Sequence, residues 1–177
     1  CGRVAATGAA PPCETFAIAR YADGGWHDRS RPVPLRAEML LWGRSDLTPR
    51  EQRQVRTANA LLIFAIAIAT IAAFYGIGSW TEHPDWTNRH SFTGGPSIWL
   101  IEQVRRIAEL PVTVTHRIKH CQHGGKAAKP TRLLAVRLPT LRAHLAKWTY
   151  NVVPSQILVG KNADGTWKTA QAKEYPF

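Results

Sequence analysis

The stretch "TANALLIFAIAIATIAAFYGIGSWT", residues 57–81, carries no charged side chain; Arg56 stands before it and Glu82 after it. A bilayer core of about 30 Å needs roughly 20 apolar residues in a helix, so this run is long enough to cross with tilt. It is apolar all round, with no polar stripe at the helical period, as exposure to lipid requires. The competing reading is a buried core helix of a soluble protein, which seldom runs this far without a charge. A long polar segment precedes the run, so it is a poor fit to a signal peptide.

Working outward, "LTPRE" (residues 47–51) marks a helix start. Thr48 is the N-cap, Pro49 takes the first helical position, and Glu51 completes a capping box. One helix is expected from about Pro49 to about Gly78, its first turns wet and carrying Arg50, Arg53 and Arg56. Trp80 and Trp86 follow, where indoles favour the headgroup level. Ala65, Ala69 and Ala73 recur every fourth residue, and Ala72 precedes Gly76 at the same spacing. Small residues so spaced let another helix approach closely in lipid, and these five are expected to pack against a helix of another protein. No ionisable group lies inside the span, so no proton relay or ion path is visible there. Residues 38–57 carry four arginines, whereas residues 80–99 carry only Arg89, opposed by Glu82 and Asp85. Positive-inside counting therefore puts the N-terminus on the cytoplasmic or matrix side.

The flanks are less regular. Residues 1–34, with "CGRVAATGAAPPC" and most of "SRPVPLR", are rich in Gly, Ala and Pro and are expected to form an extended arm that orders only against partners. "LRAEMLLWG" (35–43) is a short apolar patch suited to the membrane interface or to packing within the arm. "EHPDWTNRHSFTGGP" (82–96) has loop composition. "PSIWLIEQVRRIAEL" (96–110) predicts a helix with Ile98, Ile101, Val104 and Ala108 on one face. "PVTVTHRI" (111–118) alternates like a strand. "TRLLAVRLPTLRAHLAKW" (131–148) places Leu134, Leu138, Leu141, Leu145 and Trp148 at spacings of four and three, which predicts a second amphipathic helix, kinked or begun at Pro139. Arg137, Arg142 and Lys147 fall off that seam and are candidates to face an anionic lipid or an acidic partner. Ordinary packing within the segment is the alternative. The tail from Val153, with a turn at "NADG", is expected to be an extended strap.

"HRIKHCQHGGK" (116–126) is the candidate metal centre. On a helix, His116, His120 and His123 share a face, with Cys121 as a possible thiolate ligand. Against that, Val112 to Thr115 favour extended backbone, and Arg117, Lys119 and Lys126 repel a dication. No HExxH accompanies the cluster, so a basic, anion-facing loop that binds no metal is expected. No GxGxxG, P-loop, GxSxG or nearby acid pair is present. His83, His90 and His144 are read as polar surface or partner contacts. Three cysteines (Cys1, Cys13, Cys121) form no CxxC, which argues against a disulfide scaffold or a zinc finger. The net charge of +11 suits nucleic acid, an anionic membrane or an acidic partner. The chain does not begin with Met, which suits a product whose targeting peptide has been removed, or a partial chain.

"LTPREQRQVRTAN", the apolar run and "AAFYG" together resemble the small single-span cytochrome c oxidase assembly factors of mitochondria. The matching residues are Arg56, Thr57, Asn59, Tyr75 and Gly76, within residues 47–76; the long C-terminal half has no counterpart. The resemblance implies the mitochondrial inner membrane and cytochrome c oxidase.

The sequence therefore predicts a mostly α chain in three parts: an extended arm (1–48), a capped helix holding a single transmembrane span (49–80), and a basic, partly helical extramembrane segment (81–177). The expected function is that of a non-catalytic accessory subunit of a respiratory-chain complex in the mitochondrial inner membrane, cytochrome c oxidase or a supercomplex partner. It would be single-pass with its N-terminus on the matrix side. It would need no cofactor, would not be a stand-alone monomer, and would contact other subunits and an anionic lipid such as cardiolipin, with no nucleic acid. The alternatives are a metal- or haem-handling assembly factor, a basic ribosomal or nucleic-acid-associated protein, and a thylakoid complex subunit.

Overall fold

The computed structural model describes residues 4–16, 33–85, 96–126 and 129–147, with 153–154, 163 and 165–166. Seven regular elements follow in order: strand β1 (Ala6–Ala9), helix α1 (Pro49–Tyr75), strand β2 (Gly78–Pro84), helix α2 (Glu102–Ala108), strands β3 (Thr113–Lys119) and β4 (Pro130–Val136), and helix α3 (Leu141–Lys147). The strands form one mixed sheet in the order β1-β2-β4-β3. The expectation of a mostly α chain is thereby corrected. An α/β unit, built on the sheet and one long helix, takes its place.

The N-terminal segment is also corrected. Ala6–Ala9 pairs in parallel with Gly78–Thr81, so part of the expected free arm belongs to the sheet. Parallel neighbours need a long crossover, usually helical. Here α1 is that crossover: β1, α1 and β2 form a β-α-β unit. The Gly8–Trp80 pair shows how closely β1 is seated, because a methyl group at Gly8 would overlap the Trp80 ring. Trp80 thus lies on the sheet and is no simple headgroup anchor; Trp86 lies outside the described residues.

The start of α1 is as the sequence predicts. Thr48 Oγ1 accepts from the Glu51 amide at 3.4 Å, and Glu51 Oε2 accepts from the Thr48 amide at 2.9 Å. The helix stops earlier than expected, at Tyr75. Gly76 takes the left-handed conformation (φ 76°) as C-cap, which glycine adopts without a Cβ penalty.

The segment 131–148 is not one helix. Thr131–Val136 lies in β4, antiparallel to both β2 and β3, and only Leu141–Lys147 is helical. Leu133, Leu134, Ala135 and Val136 are all buried, because β4 is a central strand covered on both faces. Such a strand does not alternate in polarity, and its leucines imitate a helical seam. Arg137, with φ 53°, turns the chain out of the strand. Trp148 lies outside the described residues. Residues 96–110 are split: Ile98–Leu100 is a 3-10 turn, and α2 begins after the extended residue Ile101. Ile98, Ile101 and Val104 are buried as expected, and so is Ile107. The strand expected at 111–118 is β3.

The main core lies between α1, α2 and one sheet face. It joins Leu62 and Ala69 of α1 to Ile98, Trp99, Ile101, Val104 and Ile107, to Leu134 and Val136 of β4, and to Phe16. A smaller cluster of Leu35, Leu47 and Val55 supports the first half of α1. Arg36, fully buried, ties these layers together. It donates to Thr15 Oγ1 (3.0 Å), to Asn59 Oδ1 of α1 (2.8 Å) and to the Leu41 carbonyl. Its guanidinium lies 3.9 Å over the Phe16 ring.

Candidate functional site

Helix α1 has two apolar faces of different character. Val55, Ala58, Leu62, Ala65, Ala69 and Ala72 are buried, at alternating spacings of three and four, and Ala73 packs partly against the core. The face is mostly alanine, which lets the helix axis come close to the sheet. The alanine ridge expected to receive a helix of another protein is therefore closed by this chain's own core at Ala65, Ala69 and Ala72. Gly76 serves as the C-cap, and an added Cβ there would meet nothing within 4 Å.

The opposite face is bulky and bare. Leu61, Ile63, Phe64, Ile71, Phe74 and Tyr75 are exposed, with Phe64 at 64%, Tyr75 at 70% and Phe74 at 81%. An 18-residue window of α1 has a mean hydropathy of 2.2, so α1 is long and apolar enough to cross a membrane. The helix is uniformly apolar because its two faces differ in size, not in polarity. At the N-terminal end, Arg50, Arg53 and Arg56 are exposed. By helical period, Arg53, Ala60, Ala67 and Phe74 line one stripe, seven residues apart. Beside it, Asn59 Nδ2 donates to the Trp42 carbonyl at 2.8 Å and so holds a loop whose Met39 (90% exposed), Leu40 and Trp42 are also bare.

The histidine cluster is not helical. His116 lies in β3, while His120, Cys121 and His123 lie in a 3-10 turn (His120–His123) ended by Gly124 in the left-handed conformation. His120 Nε2 and Lys129 Nζ each lie 3.8 Å from Glu82 Oε1. Partial burial pushes the His123 pKa down, helped by His120 and His116; burial and then Arg142 do the same to His116. Among the described residues no set of three His, Cys, Asp or Glu side chains is placed to hold a metal. Cys13 and Cys121 are free thiols, and burial pushes the Cys13 pKa up.

Arg137, Arg142 and Lys147 are exposed, but they do not form one lipid-facing stripe. Arg137 Nε donates to the Ala73 carbonyl of α1 at 3.0 Å, and Arg142 is close enough to His116 to lower its pKa. His83, read as a surface residue, is buried edge-on to Phe16 at 5.4 Å and to Trp99 at 6.4 Å. Burial holds its pKa down at about 4. His144 is exposed as expected, and His90 lies outside the described residues.

Two polar anchors were missed in the sequence. One is Arg36. The other is Asp85, whose carboxylate takes Arg117 Nε at 2.6 Å and Arg132 Nη2 at 2.9 Å. Arg132 also stacks 5.0 Å over the Trp99 ring. Neither had a motif to reveal it; both depend on residues far apart in the chain. A hollow of about 160 Å³ beside Trp99, Arg105, Glu109 and Arg132 is smaller than ordinary ligand sites of roughly 300–1,000 Å³. The bulky face of α1 is accordingly the best-defined candidate surface. No protein-family model, no curated protein and no solved structure matches the chain.

Proposed function

We propose that this chain is a non-catalytic accessory subunit of a large membrane-protein complex, attached to the membrane through α1. The observation that carries the reading is the bare row of Leu61, Ile63, Phe64, Ile71, Phe74 and Tyr75 on a helix whose other face is already packed. Such a row on a folded domain marks an interaction surface or a membrane contact. The specific setting we propose is the mitochondrial inner membrane and a respiratory-chain complex, cytochrome c oxidase or a supercomplex partner. It is supported by the resemblance at Arg56, Thr57, Asn59, Tyr75 and Gly76. The arginine excess before the apolar run favours the matrix side for the N-terminal end of α1. The role is structural: the apolar face holds the chain at the membrane, and the rest of the domain meets neighbouring subunits.

The test is recovery of the tagged chain from mitochondrial membranes in mild detergent. Copurification with a fixed set of respiratory subunits is expected. Recovery with ribosomal RNA and ribosomal proteins, or in the salt-soluble fraction alone, would overturn the proposal.

A further inference from the structure

We infer that α1 does not cross the bilayer but lies along the surface of an anionic one, its bulky face immersed and both of its ends on the same side. The inference rests on the membrane attachment proposed above and concerns its geometry and its lipid.

The topology argues first. As the crossover between paired parallel strands, α1 runs beside the sheet. Along α1 from Val55 to Ala72, the inward face is covered by the chain's own residues. A 27-residue helix is about 40 Å long, so a crossing would carry the sheet into the hydrocarbon with it. Among the described residues the sheet ends in strands β1 and β3, whose outer amides and carbonyls would find no water there. Open sheet edges do not occur in lipid for that reason. A crossing would also immerse Asp85 with Arg117 and Arg132, and Glu82 with Lys129.

The partition of side chains argues next. A helix surrounded by lipid has no need to place its alanines on one side and its aromatics on the other. A helix lying at the interface needs one bulky apolar face, buried roughly 5–10 Å into the headgroup and acyl boundary. Phe64, Ile71, Phe74 and Tyr75 supply it.

Charge names the lipid. Arg50, Arg53 and Arg56 are exposed at one end of this face, and Arg53 lies on the same stripe as Phe74. At the interface their long stems can lie along the apolar surface while the guanidinium groups reach lipid phosphate. Each basic residue near an anionic surface strengthens binding by about fivefold. Trp42, held beside Asn59, adds a ring of the kind that favours the headgroup level.

The experiment uses the full chain, tagged at both ends, mixed with vesicles of phosphatidylcholine with or without phosphatidylglycerol. The expected result is flotation with the anionic vesicles. Both tags should be cleaved by protease added outside. Arg50→Glu, Arg53→Glu and Arg56→Glu together should weaken this binding by about a hundredfold or more. Phe64→Asn with Phe74→Asn should abolish it without lowering the melting temperature, since both rings are exposed. Tags on opposite sides would overturn the inference and leave the membrane-subunit proposal standing. Equal binding to both vesicles, unaffected by the arginine changes, would overturn the choice of an anionic surface. Failure to bind any vesicle, with dimerisation through the Phe64–Phe74 face, would overturn the inference; if respiratory subunits also failed to copurify, both readings would fall.

Discussion

Arg137 Nε donates to the carbonyl of Ala73 at 3.0 Å, joining the residue that leaves β4 to the last turn of α1. The last carbonyls of a helix have no partner within it. A side chain from the end of the sheet thus caps the helix that crosses over it. Arg137→Ala is expected to lower stability by about 1 kcal/mol, read as a lower midpoint of urea unfolding. Because the side chain is exposed, an unchanged midpoint would mean that water replaces the bond without loss.

The two faces of α1 differ in what they tolerate. Ala69 is buried in the main core, and Ala67, two residues before it, is exposed. Ala69→Leu should overpack the interface and destabilise by about 1–3 kcal/mol. Ala67→Leu should stay within about 0.5 kcal/mol of the parent. Thermal melts of the two variants check this, and equal effects would show that the alanine face is not the one turned inward.

Asp85 is the hub of a polar clamp. Its side chain is 3% exposed, and it meets Arg132, largely buried, and Arg117, 54% exposed. Asp85→Asn keeps the shape and removes the negative charge that Arg132 meets beside Trp99. The expected loss is about 3 kcal/mol, most of it from Arg132, because water still reaches Arg117. Denaturant unfolding measures it.

His83 links stability to pH. Its folded-state pKa of about 4 lies below the ordinary value of 6.5, chiefly through burial. The unfolded chain therefore binds the proton first as the pH falls. The contribution of neutral His83 is fully present above pH 6.5, is lost progressively below it, and is gone near pH 4. The total is at most about 3 kcal/mol. His83→Gln should flatten the dependence of unfolding free energy on pH across this window by up to one proton, whatever it does to stability at pH 7.

Much of α1 was legible because its signals are local. The capping box at Thr48 and Glu51, the proline at position 49 and the long uncharged run need only neighbouring residues. The strand at Thr113–Lys119 was legible for the same reason, through its alternation. β4 was misread because Leu133 to Val136 are apolar on both faces, and four consecutive apolar residues have no period. β1 was missed because Ala6–Ala9 has a single β-branched residue, Thr7, among alanines and a glycine. It is a strand because β2 offers it a backbone edge, and because Gly8 leaves room for Trp80.

The sequence by itself determined that one helix, starting at Pro49, is long and apolar enough for a membrane, and that its alanines form a ridge. Local spacing, capping and composition suffice for that. Only the tertiary structure decided what the ridge faces. A β-α-β crossover forces α1 against its own sheet, so the alanines are spent inside the chain and the phenylalanines are left outside. The anchors Arg36 and Asp85 were likewise decided by folding, since a buried charge acquires its role from partners that only the fold brings within hydrogen-bonding distance.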